Sequence, residues 1–240
     1  MSSKWPKKLP PQTAEEKARY EDWQHIWLAR ANGFPALSRF NHGYVLGASQ
    51  GLSGPALEVG AGRGEHLELE REAGFPLSQY HVSELMPSMA RLITKQFKEV
   101  KVKVGDCQKR LAYKDRFFER IIAIHVLEHL PNLPGFLAEA HRLLQRPQGR
   151  LLVVIPCEGG WGYELARSFT SKAMYEKRYK LPYGQHISRD HVNTAAEVRE
   201  ELARLFTVEQ SEWWPMLLPS VNLNLCLGLC LKPIDKKAGA

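Results

Sequence analysis

Ala56-Leu-Glu-Val-Gly-Ala-Gly-Arg-Gly-Glu-His66 is the stretch on which the reading of the chain turns. An apolar run, Ala56 to Val59, ends in glycines at every second position: Gly60, Gly62 and Gly64. Polar, leucine-containing sequence with helical spacing follows at once. That order predicts strand, tight turn, helix. Glycines in such a turn allow a positive φ and let a ligand approach backbone that carries no Cβ. The helix beyond points its free N–H groups at whatever lies over the turn. A glycine turn alone is a weak sign, so its weight rests on its neighbours.

Downstream the pattern alternates, as a parallel sheet with crossover helices requires. A helix over 64–73 stops at Gly74-Phe-Pro, and Tyr80 to Leu85 makes a second strand. Pro87 is placed as the first residue of a helix to Phe97. Val100 to Val104 alternates apolar residues with lysine, a third strand running into Gly105-Asp106. Arg120 to Leu127 is apolar enough to be a central fourth strand. Pro134 opens a helix to Leu144, and Gly149 to Pro156 is a fifth strand. Thr194 caps a helix to Leu205, and Phe206 to Trp214 is a sixth strand. Val221 to Leu231 alternates leucine with Asn, Cys and Gly, a period of two that makes it a seventh strand and excludes a membrane helix.

Upstream, Thr13-Ala-Glu-Glu16 reads as a capping box opening a helix with Tyr20, Trp23 and Trp27 at helical spacing and Asn32-Gly33 as its stop. A second helix starts at Pro35, offers Leu37, Phe40, Tyr44 and Val45 for packing, and ends before Gly51. The expected organisation is a flexible basic tail over 1–12, N-terminal helices over 13–54 that flank or lid the site, and a main domain over 55–235. Within that domain 157–190 is longer than a simple crossover and reads as an insertion capping the substrate.

The 240 residues suit one α/β domain with extensions, and 44% hydrophobic with 25% charged residues is an ordinary globular composition. The formal net charge is +7, but Lys and Arg are spread along the chain, whereas a nucleic-acid footprint clusters them. No run approaches the ~20 unbroken apolar residues of a membrane span. Met1 to Lys8 lacks the apolar core of a secretory signal. Cys107, Cys157, Cys226 and Cys230 form no CxxC pair, which points to reduced thiols and a cytoplasmic protein.

The expected fold is therefore a doubly wound, mostly parallel α/β sheet, in which ligands sit beyond the carboxyl ends of the strands near the switch point. Those ends carry Glu58 and the glycine loop, then Glu84, then Asp106, then His125 with Glu128 and His129 just beyond. A carboxylate ending strand two is where a ribose diol is gripped.

Leu57-Glu-Val-Gly-Ala-Gly-Arg-Gly64, Glu84, Gly105-Asp106 and Val126-Leu-Glu-His-Leu130 together closely resemble the class I S-adenosylmethionine-dependent methyltransferases, over about residues 55–235. The resemblance implies a Rossmann-like sheet of seven strands with the last antiparallel, and S-adenosyl-L-methionine as cofactor. It implies that Gly60, Ala61, Gly62 and Gly64 approach the methionine part, with Glu58 beneath. Glu84, with Leu85 beside it, would bind both ribose hydroxyls. Asp106 would hold the adenine amine next to the backbone of Cys107. His125 and Leu127 would flank the sulfonium. The chain departs from the commonest pattern in having Glu84 rather than Asp and Arg63 rather than Thr or Ser; neither change removes a needed charge.

Methyl transfer is an in-line displacement whose electrophile comes from the cofactor, so the protein mainly aligns the acceptor and excludes water. A base is needed only where the acceptor must lose a proton. His125, His129, His186 and His191 are the candidates, and His129 is the first choice. His125-Val-Leu-Glu-His129 matches the HxxEH zinc-peptidase pattern, but Pro131 and the preceding strand argue against the helix that chemistry needs. The same residues resemble the Glu-x-x-Glu-His metal site of some quinone-biosynthetic O-methyltransferases, with His125 replacing the first Glu; no metal ligands are assigned on that basis. Pro156-Cys157 resembles the nucleophile of cytosine-C5 methyltransferases but follows the wrong strand, and a (D/N)PP(Y/F) signature is absent after strand four.

These absences point away from nucleic-acid bases and toward a small-molecule, glycan or lipid-linked acceptor. Trp161, Tyr163, Arg167, Arg178, Tyr179 and Tyr183, with Trp213-Trp214, would form an aromatic, basic roof over it or simply pack. The alternatives are an RNA-directed methyltransferase, a non-catalytic cofactor-binding module, and an NAD(P)-dependent oxidoreductase, whose fingerprint is GxGxxG rather than the GxGxG found here. The sequence leaves the oligomeric state open.

Overall fold

A computed structural model describes residues 4–30 and 35–235. The Asn32-Gly33 stop and the side chain of Trp27 lie outside the described residues. In chain order the elements are α1 (Ala14–Arg30), α2 (Pro35–Ala48), β1 (Ala56–Val59), α3 (Glu65–Glu72), β2 (Tyr80–Glu84), α4 (Pro87–Gln96), β3 (Lys101–Val104) and β4 (Arg120–Ile124). There follow α5 (Leu133–Leu143), β5 (Arg150–Pro156), α6 (Trp161–Phe169), α7 (Ser171–Tyr179), α8 (Tyr183–Asp190), α9 (Ala195–Ala203), β6 (Phe206–Trp214) and β7 (Cys226–Pro233).

The strands form one sheet in the order β3-β2-β1-β4-β5-β7-β6. β3 through β5 pair in parallel, while β7 runs antiparallel to both neighbours. The order reverses between β1 and β4, so the switch point lies where the glycine loop leaves β1.

Alternation along each strand divides the core. Leu57, Ile121, Val153 and Leu229 face one layer with Phe136 and Leu137 of α5 and Val198 and Leu202 of α9. Val82, Ile122 and Leu152 face the other with Tyr44 and Val45 of α2, Leu67 of α3 and Ile93 of α4. β5 is buried on both faces, which is why its sequence reads as a continuous apolar run. β3 is one of the two edge strands, and its exposed Lys101 and Lys103 discourage pairing with another chain.

The two N-terminal helices part company. α2 is a flank of the sheet: its Tyr44 packs so closely on β7 that a Cβ at Gly228 would lie 2.5 Å from the ring. α1, opened by the capping box of Thr13 and Glu16, joins the insertion instead. Trp23 packs against Tyr175, Tyr183 and Ile187, and Asp22 accepts hydrogen bonds from Arg178 and Tyr179. α1, α7 and α8 thus make a satellite core above the carboxyl end of the sheet. Of the segment expected as a flexible tail, Lys4 and Lys7 pair with Glu197 of α9 at 2.8 and 2.9 Å, Trp5 packs on the main core, and Pro10 accepts from Arg189 of α8.

Most strand limits fall within two residues of the expectation, and two differ by more. β4 ends at Ile124 because His125 takes a left-handed backbone, φ 52°, and Leu127–His129 winds into a 3-10 turn. β7 starts at Cys226, not Val221. The fully buried Asn224 folds the preceding segment by donating to the carbonyls of Leu218 and Ser220 while accepting from the Met216 N–H, so alternation there is accidental. Trp213 and Trp214 are core residues of the sheet rather than part of a roof; Trp214 stacks on Phe40.

Candidate functional site

The first half of the site lies where β1, β2 and β3 end. Gly60, Gly62 and Gly64 have φ of 65°, 56° and 88°, values that disfavour any other residue. A Cβ at Gly60 would meet Val126 at 2.8 Å, and one at Gly64 would meet Phe97 at 2.8 Å. At Gly62 the nearest neighbour of a Cβ would be the tip of Glu65 at 3.7 Å, so the loop is open at its crest. Ala61 tucks into the core between them.

Glu84 ties two strand ends together. Its Oε2 accepts from the Gly62 N–H at 3.2 Å and its Oε1 from the Met86 N–H at 2.9 Å. Leu85, the next residue, is 65% exposed, an apolar side chain at the mouth of the site. Asp106 accepts from the backbone and side chain of Gln108 on one oxygen, and the other lies 3.8 Å from the Lys109 ammonium. Gln108 in turn accepts the N–H of Asn132, the residue capping α5, so the Asp106 loop is braced against the next helix. Neighbouring Cys107 is buried, which pushes its thiol up to about 12.

Glu58 sits beneath the loop rather than in it. Its carboxyl is buried, accepts the Tyr80 hydroxyl at 3.0 Å, and is pushed up to about 7 by burial. Deeper still, Arg120 forms a fully buried two-point pair with Glu70 at 2.8 Å and lies 4.1 Å from the Phe75 ring. This pair ties α3 to β4 under the glycine turn.

The second half gathers where β4 and β5 end. His125 Nδ1 lies 3.3 Å from Glu128 Oε1. Glu128 is buried; burial raises its carboxyl, but the hydrogen bond from His125 and the charge of His129 outweigh it and hold the group below the usual carboxylate range. His129 Nδ1 lies 2.7 Å from the Asp190 carbonyl and 3.2 Å from its carboxylate. Burial opposes a charge on His129, yet Asp190 and Glu128 prevail and lift it to about 9. A raised imidazole suits His129 to donating a hydrogen bond rather than to the base role expected of it.

His191 joins this cluster, its Nδ1 2.6 Å from Glu158, which also makes a two-point pair with Arg167 at 2.8 Å. Val192 and Asn193 donate backbone N–H groups to the Glu128 carbonyl, and the Asn193 side chain donates to the carbonyls of Leu127 and Leu130. The end of the insertion is therefore sewn to the 3-10 turn after β4. A pocket lined by Leu9, Gln12, Tyr20, His129, Arg189 and Asp190 opens beside it.

His186 is not part of the site. It stacks on Tyr175 in the satellite core, and burial pushes its imidazole down. The zinc-peptidase pattern fails because a left-handed His125 and a 3-10 turn put no helix under it. Cys157 is buried with its thiol pushed up to about 12, unlike a nucleophile. Sequence reading missed Glu158, Asp190, Tyr20 and Gln108. Only the run Gly105-Asp106-Cys107-Gln108 held a local cue; the others meet their partners through the fold.

Comparison with known proteins gives a consistent picture. A family model described as a methyltransferase domain matches residues 37–206. Demethylmenaquinone methyltransferase of Tropheryma whipplei (strain Twist) is 32% identical over 111 residues, 45% of this chain and 44% of that protein, so the match spans less than half of the relative. A Pyrococcus horikoshii protein of solved structure superposes with a TM-score of 0.62 at 19% identity, covering 83% of this chain and 91% of the other. An N-methyltransferase from Bradyrhizobium japonicum, solved with S-adenosyl-L-homocysteine, gives a TM-score of 0.57 at 17% identity over 82% of this chain and 87% of its own.

Proposed function

The chain belongs to the methyltransferase-domain family, and from that premise we propose that it is an S-adenosylmethionine-dependent methyltransferase acting on a small-molecule acceptor. One observation carries the reading: the crest of the glycine loop is hydrogen-bonded to the carboxylate that ends β2, with Leu85 and Asp106 alongside. The residues fit the cofactor. Open space over Gly62 leaves room for a ligand, Glu84 offers an acceptor to a ribose diol, and Asp106 at the next strand end offers one to an adenine amine. Gly60, Ala61 and Gly64 complete the loop, Glu58 supports it from below, and Cys107 and His125 border it. Bound there, the cofactor supplies an electrophilic methyl group on a sulfonium. The chain positions the acceptor and excludes water, with protonated His129 available to donate to an acceptor oxygen.

The acceptor class follows from the cap and the relative. Trp161, Leu165 and Phe169 stand exposed at every fourth position of α6, and Met216, Leu217 and Leu218 are exposed on the segment that α6 touches through Gly162 and Asn222. That apolar rim, and the name of the Tropheryma whipplei relative, favour an acceptor with an apolar tail over a free sugar. Four free, buried cysteines support a reducing, cytoplasmic setting; among the described residues no helix is long and apolar enough to cross a membrane.

The test is transfer of labelled methyl to a panel of a prenylated quinol, a lipid-linked sugar, a free sugar and RNA. Product on the apolar-tailed acceptors is expected. Product on RNA alone, falling steeply with salt, would replace the small-molecule reading. Tight S-adenosylhomocysteine binding with no product anywhere would mark a non-catalytic module.

A further inference from the structure

Beside the cofactor loop the chain brings one carboxylate and two imidazoles to a point. One ligand atom from each of Glu128, His129 and His191 lies within 4.8 Å of the other two. Proximity alone does not make a site, but two independent features do more. Each ring already engages its Nδ1 elsewhere: His129 with the Asp190 carbonyl at 2.7 Å, His191 with Glu158 at 2.6 Å. That turns Nε2 of both rings toward the cluster, His129 Nε2 lying 3.9 Å from Glu128 Oε1, the arrangement by which a carbonyl or carboxylate orients a metal-binding histidine. The second feature is Glu128 itself. Its side chain is 2% exposed, and its Oε2 has no hydrogen-bond partner. A buried carboxylate oxygen left without a donor is costly, and a cation satisfies it.

We propose that Glu128, His129 and His191 bind a divalent transition-metal ion of the zinc type. Two imidazoles and one carboxylate suit zinc, whereas magnesium and calcium take oxygen ligands. Atoms bound at about 2.0–2.2 Å from zinc stand about 3–4 Å apart, so small ring rotations close the set. The backbone bonds from Val192 and Asn193 to the Glu128 carbonyl hold the two ligand segments in place before any ion arrives. Three protein ligands leave a position for water or an acceptor oxygen. The site rests on these side chains and not on the methyl-transfer reading; with an ion bound, the ion rather than His129 would meet an acceptor oxygen.

The experiment uses tag-free full-length protein stripped with a chelator, titrated with Zn²⁺ by calorimetry and with Co²⁺ by visible absorption. One ion per chain is expected, with the absorption bands of nitrogen-ligated cobalt. His191→Ala should weaken binding by about 100-fold or more, and Glu158→Gln, which removes only the anchor of the ring, by about 10- to 100-fold. S-adenosylhomocysteine affinity is read in parallel as a folding control for both variants; His191→Gln serves if the alanine variant fails to fold. Absence of one-to-one binding overturns the proposal. So does zinc affinity unchanged by His191→Ala in a folded protein.

Discussion

The two halves of the carboxyl edge are built differently. On the cofactor side partners stay within 50 residues: Gly62 meets Glu84 across 22 residues, Asp106 meets Gln108 across two, and Glu70 meets Arg120 across 50. On the acceptor side the chain reaches much further. His129 meets Asp190 across 61 residues, and Tyr20 meets Asp190 across 170. The first half needs the parallel sheet and little else. The second needs the insertion, α1 and the tail to be in place. A common donor and a private acceptor would call for such a division.

The deepest support of the cofactor half is the buried pair of Arg120 and Glu70. Removing one partner of such a pair strands the other charge, so Arg120→Met should cost about 3–5 kcal/mol in denaturant unfolding. A loss under 1 kcal/mol would show that the turn does not rest on this pair.

Glu58 gives the next effect, and it depends on pH. Burial pushes its carboxyl up to about 7 in the fold, from the 4.5 of an exposed glutamate. Below pH 4.5 both states hold the proton; as pH rises toward 7 the unfolded chain loses it first, so this group's contribution to stability falls. Glu58→Gln should therefore gain on the parent as pH rises through that window, by up to about 3 kcal/mol. Parallel stability curves for the two proteins would contradict a burial cost that outweighs the Tyr80 hydrogen bond.

The acceptor half should break on its own. Asn193→Ala takes the side-chain donor from the Leu130 carbonyl and leaves the Leu127 carbonyl with only the Leu130 N–H at 3.4 Å, a cost of about 1–3 kcal/mol. Methyl transfer should fall while S-adenosylhomocysteine affinity stays within about twofold, a free-energy change under RT ln 2. Equal losses of both would mean the halves are not separable.

The same contrast explains what was legible in the sequence. Glycine spacing, strand-end acids and helix caps are local, so the sheet and the places of Glu58, Glu84 and Asp106 could be read directly. Val221 to Leu225 misled because alternation cannot see the buried Asn224 that folds it. His186 and His191 looked equivalent in sequence, yet one is packed against Tyr175 and the other points to Glu158. His129 drew notice as a base, but the carboxylate that charges it lies on α8, which no spacing rule connects to β4.

Titration of S-adenosylhomocysteine into the parent, Glu84→Ala and Asn193→Ala proteins tests the central claim most directly. Binding should weaken about 10-fold or more in Glu84→Ala, as a charge-assisted contact to the ribose is lost, and persist in Asn193→Ala. Unchanged affinity in Glu84→Ala, or binding of NAD in place of S-adenosylhomocysteine, would contradict it.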